Sequence, residues 1–182
     1  MSERTTTKDD LLEDERLTLT GLLVESAAGL KQVLHRRLSE ECGLTIQSFV
    51  LLLRLSRSPD QRLRMSDLAD QTGLTPSGLT RAIDRLDEAG LVVREACPDD
   101  RRGSFAALTP EGLARVRAAV RPHLRHLDEE FVGLLTADEQ QQLAGLLRKI
   151  RDHVNPGAAR PPLPIAGSGT AAAAAATGQT RL

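Results

Sequence analysis

Apolar residues recur at three- and four-residue steps along most of this chain, and strand-like character is confined to one short stretch. From Leu11 to about Glu41, Leu19, Leu22, Leu23, Ala27, Leu30, Leu34 and Leu38 mark one long helix without proline. Its stripe is wide enough to pack on two sides. Gly43 stops it, and Thr45 caps a second helix with Phe49, Leu52 and Leu53 inward. Ser56–Leu63 reads as a loop, with a short extended piece near Arg62–Arg64. A short helix runs from Ser66 to Gly73, and another from Thr75-Pro76 to Gly90. Leu91–Ala96 and Ser104–Leu108 are strand formers around a charged turn at Asp99–Gly103. Thr109-Pro110 restarts a helix through Leu113, Val116, Val120, Leu124, Leu127, Phe131 and Leu134, with Pro122 expected to kink or split it. Thr136-x-x-Glu139 is a capping box, and the final helix carries Leu143, Leu146, Leu147 and Ile150 to about His153.

Helix, turn, helix and a two-stranded ribbon, from Met65 to Leu108, is the layout of a winged helix-turn-helix. The second of these helices buries Leu79, Ala82, Ile83 and Leu86. At about 100° per residue, Ser77, Arg81, Asp84 and Glu88 then face outward, with Thr80 and Arg85 flanking. Donors in the first two turns suit a helix that meets bases by its N-terminal end. Arg101-Arg102 at the tip of the ribbon suits a narrow minor groove, with the neighbouring aspartates orienting the pair.

These residues resemble the multiple-antibiotic-resistance regulator (MarR) family of bacterial repressors. The likeness rests on Leu68-Ala69, Thr80-Arg81, Asp84-x-Leu86, Gly90-Leu91-Val92, Arg94, Asp100-x-Arg102 and Leu108-Thr109-x-x-Gly112, and it extends from about Leu11 to Val154. It implies a mainly α winged-helix homodimer with a small β-wing, repression relieved by a small ligand or an oxidant, and an effector pocket between dimerisation helices and DNA lobe. The organisation expected is a disordered 1–10, dimerisation helices at 11–41 and 110–154, a DNA-binding lobe at 45–108, and a disordered tail at 155–182.

Composition modifies this picture in places. The 182 residues are 40% apolar and 2% aromatic, so leucine, valine, isoleucine and alanine must supply the packing. Net charge is −1, and residues 54–102 hold nine arginines against nine acids, so any nucleic-acid surface depends on local segregation of charge. Arginine outnumbers lysine 21 to 3 throughout, a bias that reads as genome composition. No apolar run spans a bilayer and residues 1–10 lack a signal-peptide core, so a cytoplasmic protein is expected. Cys42 and Cys97 show no metal or redox-pair spacing, and Leu17–Leu30 lacks the cysteine that peroxide-sensing family members carry near the start of the first long helix. His123-x-x-His126 has the reach of a zinc pair, although surface histidines on a charged helix are the commoner case. Gly73, Gly78 and Gly90 form no phosphate loop, no serine sits in a nucleophile elbow, and the acidic pairs read as solvated surface. No enzyme, cofactor or metal is therefore expected. From Asn155 the Pro/Ala/Gly-rich tail lacks the hydrophobicity to fold.

The reading that results is a transcriptional repressor binding a pseudo-palindromic double-stranded operator as a homodimer, released by a small effector the sequence does not name. Ser66, Thr75, Ser77, Thr80, Arg81, Arg85, Arg101 and Arg102 are the candidate DNA contacts, with Asp100 orienting the wing. Leu19, Leu23, Leu127, Phe131, Leu143 and Leu147 are the candidate dimer contacts. His35, Arg36 or His123 would edge a cleft for an anionic aromatic molecule. A metal- or oxidant-sensing regulator of the same fold, and a winged helix used only for protein contacts, are the alternatives.

Overall fold

The computed structural model describes residues 11–97 and 100–159, without the side chains of residues 100–102 and 159. Six helices and one small sheet carry the chain: α1 (Glu15–Cys42), α2 (Ile46–Ser56), β1 (Arg62–Arg64), α3 (Met65–Thr72), α4 (Pro76–Glu88), β2 (Val92–Cys97), β3 (Asp100–Leu108), α5 (Pro110–Glu130) and α6 (Ala137–Val154). Short 3-10 turns lie at Pro59–Gln61, Val132–Leu134 and Pro156–Ala159.

Hydroxyl caps set most of the helix starts. Thr45, Thr75, Thr109 and Thr136 accept from the backbone N–H groups of Ser48, Gly78, Gly112 and Glu139, which satisfies donors that helix geometry leaves open. The Thr136–Glu139 capping box forms in both directions. At the front of α1 the same chemistry corrects the expected boundary. Asp14, not a residue near Leu11, is the cap, and Leu11–Glu13 form a turn before it.

The sheet order is β1-β3-β2, antiparallel throughout, so the extended piece at Arg62–Arg64 is the third strand of the wing. Pairing of β2 with β3 continues to Cys97 opposite Asp100, past an irregularity at Ala96/Cys97. The expected charged turn at Asp99–Gly103 is thus shorter than the sequence suggests. Asp100–Gly103 belong to a strand, because ladder hydrogen bonds continue to be made beyond the apolar stretch. Pro98 and Asp99 lie outside the described residues.

The core gathers Leu38 of α1, Phe49 and Leu52 of α2, Leu68 of α3, Ile83 of α4 and Val116 of α5 around one centre. It joins the DNA lobe to the lower part of α1 and the start of α5. Pro122 does not split α5, which runs unbroken for 21 residues. Losing one intrahelical bond to the Ala118 carbonyl is tolerated because α1 packs along α5 and ion pairs clamp the two together. Here Arg37 pairs with Glu130 and, at 3.2 Å, with Glu129, while Arg125 reaches Glu41 at 2.5 Å. The helix ends at Glu130, short of Leu134, which falls in the following 3-10 turn.

The dimerisation candidates divide by exposure. Leu19 is 71% exposed, Leu23 and Leu147 are also exposed, and Leu127, Phe131 and Leu143 are half-buried. Above Leu34 the apolar face of α1 has little cover, and α6 buries none of its residues.

One close contact fastens α5 to the DNA lobe. Thr109 Oγ1 donates to the Gly90 carbonyl at 2.8 Å and accepts from the Gly112 N–H at 2.9 Å. A Cβ added at Gly112 would stand 2.0 Å from the Leu91 carbonyl oxygen, so one of the two backbone segments would have to shift. Gly112→Ala should therefore cost about 3 kcal/mol of stability. Chemical denaturation measures this, and a loss below about 0.5 kcal/mol would show that the junction gives way cheaply.

Candidate nucleic-acid interface

Helix α4 has a dry side and a wet side. Leu79, Ala82, Ile83 and Leu86 are buried, as the three- and four-residue spacing dictates. Ser77, Thr80, Arg81 and Arg85 are exposed on the other side, and Ser66 is exposed at the first turn of α3. Neither Arg81 nor Arg85 makes an ion pair among the described residues, so two guanidinium groups stand open to a ligand. Thr75 is exposed but already employed: its hydroxyl accepts from Gly78 N–H at 3.1 Å and lies 3.4 Å from the Ser77 hydroxyl. The side chains of Asp100, Arg101 and Arg102 lie outside the described residues, so the expected wing-tip contacts are located by their backbone in β3 alone.

Asp84 corrects the reading of an open charged face. It is half-buried, and Arg94 of β2 donates through Nη2 to its Oδ1 at 2.5 Å. The same nitrogen reaches the Thr80 carbonyl at 3.3 Å, while Nε is buried without an acceptor among the described residues. Arg94 thereby ties the wing to the middle of α4. Strand alternation carried the signal: Val92 is buried, Val93 exposed, and Arg94 returns to the side facing α4, where an arginine requires an anion. Further out, the guanidinium carbons of Arg62 and Arg64 lie 5.0 and 5.6 Å from the centre of the Phe105 ring. Arg62 also holds Glu95 at 3.2 Å.

These pairings decide which arginines of the neutral lobe stay available. Asp84 and Glu95 are taken up by arginines inside the wing assembly, whereas Arg81 and Arg85 remain uncompensated on α4. Each pair removes one arginine with one acid, so the cations that stay available on α4 are Arg81 and Arg85, with Asp87 and Glu88 exposed further along the helix.

Other chemistry reads differently in three dimensions. His126 is not a surface residue but 0% exposed, with Nε2 2.7 Å from Glu41 Oε1. His123 is half-buried, its ring 4.5 Å from that of Phe49, and burial, then the neighbouring His126, holds its pKa below the ordinary imidazole value. No group of three metal-ligating side chains occurs among the described residues. Burial, and after it the charge of Glu41, pushes the Cys42 thiol up, which disfavours the reactive thiolate, and Cys97 is buried. A cavity of about 730 Å³ opens between α1, α2 and the end of α3, lined by Lys31, Gln32, His35, Ile46, Val50 and Leu74 among others. Of the three residues expected at such a cleft only His35 lines it. Arg36 and His123 do not, since they lie on other faces of their helices.

Residues 43–103 match the sequence model of the MarR family. The chain is 33% identical to the HTH-type transcriptional repressor Rv2887 of Mycobacterium tuberculosis over 108 residues, 59% of this chain and 76% of that protein. This chain belongs to the MarR family. Among solved structures it is similar to Sco3205, a MarR family transcriptional regulator from Streptomyces coelicolor in complex with DNA. That likeness has a TM-score of 0.72 at 32% identity, covering 85% of this chain and 93% of that one. A mutant MarR from E. coli complexed with operator DNA aligns with a TM-score of 0.67 at 28% identity, over 75% and 95% of the two chains. The mainly helical architecture with its three-stranded wing is that of the family.

Within this family fold, Arg94 is the residue whose loss should separate recognition from folding. Arg94→Ala should lower thermodynamic stability by about 1 kcal/mol, because both partners are partly solvated. Operator affinity should fall about tenfold or more, as the wing and α4 lose their common anchor. A folded protein with wild-type affinity in a gel-shift or anisotropy titration would sink this assignment.

Proposed function

We propose that this protein is a transcriptional repressor that binds a pseudo-palindromic operator as a homodimer. Helix α4 enters the major groove and the wing reaches the flanking minor groove. The observation that carries this reading is the exposed donor face of α4, where Arg81 and Arg85 make no ion pair among the described residues while Asp84 is held by Arg94. It is supported by relatives named as transcriptional regulators and by the similar structures solved with DNA. The uncovered leucines of α1 and α6 supply the apolar surface that a second copy would bury, placing two α4 helices about one DNA turn apart. No helix among the described residues is long and apolar enough to cross a membrane.

Helix and wing should fail differently. Arg102, in the Asp-x-Arg stretch of β3, is assigned to the minor groove, so Arg102→Ala should weaken operator binding by about 1–3 kcal/mol and reduce the salt slope by roughly one charge. Preference among half-site bases should survive. Arg81→Ala should weaken binding by a similar amount but relax specificity at one base position. Titrations across a salt series, against single-base operator variants, measure both. Unchanged affinity of a folded Arg102→Ala dimer would refute the wing assignment.

Release by a small molecule is the second half of the proposal. The cavity beside α1 has apolar walls at Ile46, Val50 and Leu74, and Lys31 supplies a cation. The His35 ring accepts the Ile46 N–H through Nδ1 at 3.4 Å, which leaves Nε2 as a donor. That set suits an anionic aromatic molecule. Val50→Phe should fill the cavity, leaving operator affinity within about twofold of wild type while blunting release by aromatic carboxylates. Equal release of wild type and variant by every compound that works on either would place the effector elsewhere.

A further inference from the structure

The chain does not leave the molecule where α6 ends. Asn155 N–H donates to the Arg151 carbonyl at 2.7 Å, and Ala158 N–H to the Asn155 carbonyl at 3.1 Å, closing the turn Pro156–Ala159. This turn was expected to be part of a disordered tail, yet it lies against α3, the first helix of the helix-turn-helix. A Cβ built on Gly157 would stand 3.0 Å from Asp70 Cβ and 3.1 Å from the Asp70 carbonyl oxygen. One built on Gly73, just beyond α3, would lie 3.5 Å from Asn155 Nδ2. The contact is close: a larger side chain at position 157 would press on both the Cβ and the backbone carbonyl of Asp70, so the turn or α3 would have to give way.

Charge does not draw α6 to this place. Arg54, at the end of α2, has its pKa lowered by burial first and then by the like charges of Arg57 and Arg151. Nor does an apolar seam explain it, since α6 has no buried residue. What joins the end of α6 to the DNA lobe is the segment that follows it. The partner element is small: α3 has eight residues and no side-chain cap at its N-terminus, so its position depends on what packs against it.

We infer that Asn155–Gly157 is a strap that fixes the first helix of the helix-turn-helix to the C-terminal dimerisation helix, and so sets which half-site spacing the dimer accepts. The inference rests on the operator-binding reading, but strap docking is measurable without DNA. The dimer positions each DNA lobe through the helices that enter and leave it, α1 into α2 and β3 into α5. The strap adds a third tie, from α6 to α3, and a lobe held at three places swings less against its partner. The same end of α3 supplies Thr72 to the cavity wall, so cavity and strap bear on one turn from two sides.

Three proteins test this: full-length Gly157→Val, a chain ending at Val154, and a chain ending at Ala159. Amide hydrogen exchange over residues 65–72 reads the docking directly. It should quicken about fivefold in the first two and match wild type in the third. Operators whose half-sites are moved apart or together by one base pair read the consequence. The wild type's preference for the native spacing should shrink about fivefold in the first two proteins alone, with sedimentation still showing dimers. Unchanged exchange in both altered proteins would overturn the strap. So would equal loss in the chain ending at Ala159, which would move the role to the later tail. Faster exchange with intact spacing preference would remove the spacing role. If every protein, wild type included, ignores operator DNA, the operator-binding reading fails while the exchange result still decides the strap.

Discussion

Burial of one side of α4 is the constraint from which the interface follows. Leu79, Ile83 and Leu86 leave water together with Leu52 and Leu68, each full burial contributing about 2 kcal/mol. Because four residues on a 3.6-residue period cannot turn inward without turning the intervening ones outward, Ser77, Thr80, Arg81 and Arg85 are presented as a set. Rotation of the helix by a third of a turn would drown charged groups and expose leucines, a cost of many kcal/mol. The side that meets solvent is therefore as firmly specified as the core.

The wing takes its place from α4. Arg94 crosses from β2 to Asp84 and Thr80, an inward-facing arginine with its anion supplied from the helix. On the opposite side of the sheet Arg62 and Arg64 lie over Phe105. With aromatics at 2% of the chain, ion pairs and cation–π contacts take over some positioning that aromatic packing would otherwise perform. Two of the lobe's acids, Asp84 and Glu95, are held by Arg94 and Arg62 of the wing, while Arg81 and Arg85 keep no ion pair among the described residues. Along α5 the same habit recurs, with Arg37, Arg125 and His126 fastening the helix to α1 across Glu41, Glu129 and Glu130.

Helical periods, threonine caps and the strand formers before Leu108 were legible in the residues, because each depends on neighbours within a few positions. Thus the six helices, the third strand at Arg62–Arg64 and the exposed donors of α4 could be read before any coordinates. The family resemblance extended that reading to the homodimer. What could not be read is decided by groups far apart in sequence. Asp84 is drawn in by Arg94, His126 is buried because Glu41 of another helix meets it, and Pro122 is tolerated because α1 braces its helix. The turn after α6 is the clearest case. Local composition at Asn155–Ala159 predicts no structure, yet a glycine that fits against the Asp70 backbone gives it a place that only the packed α3 could offer.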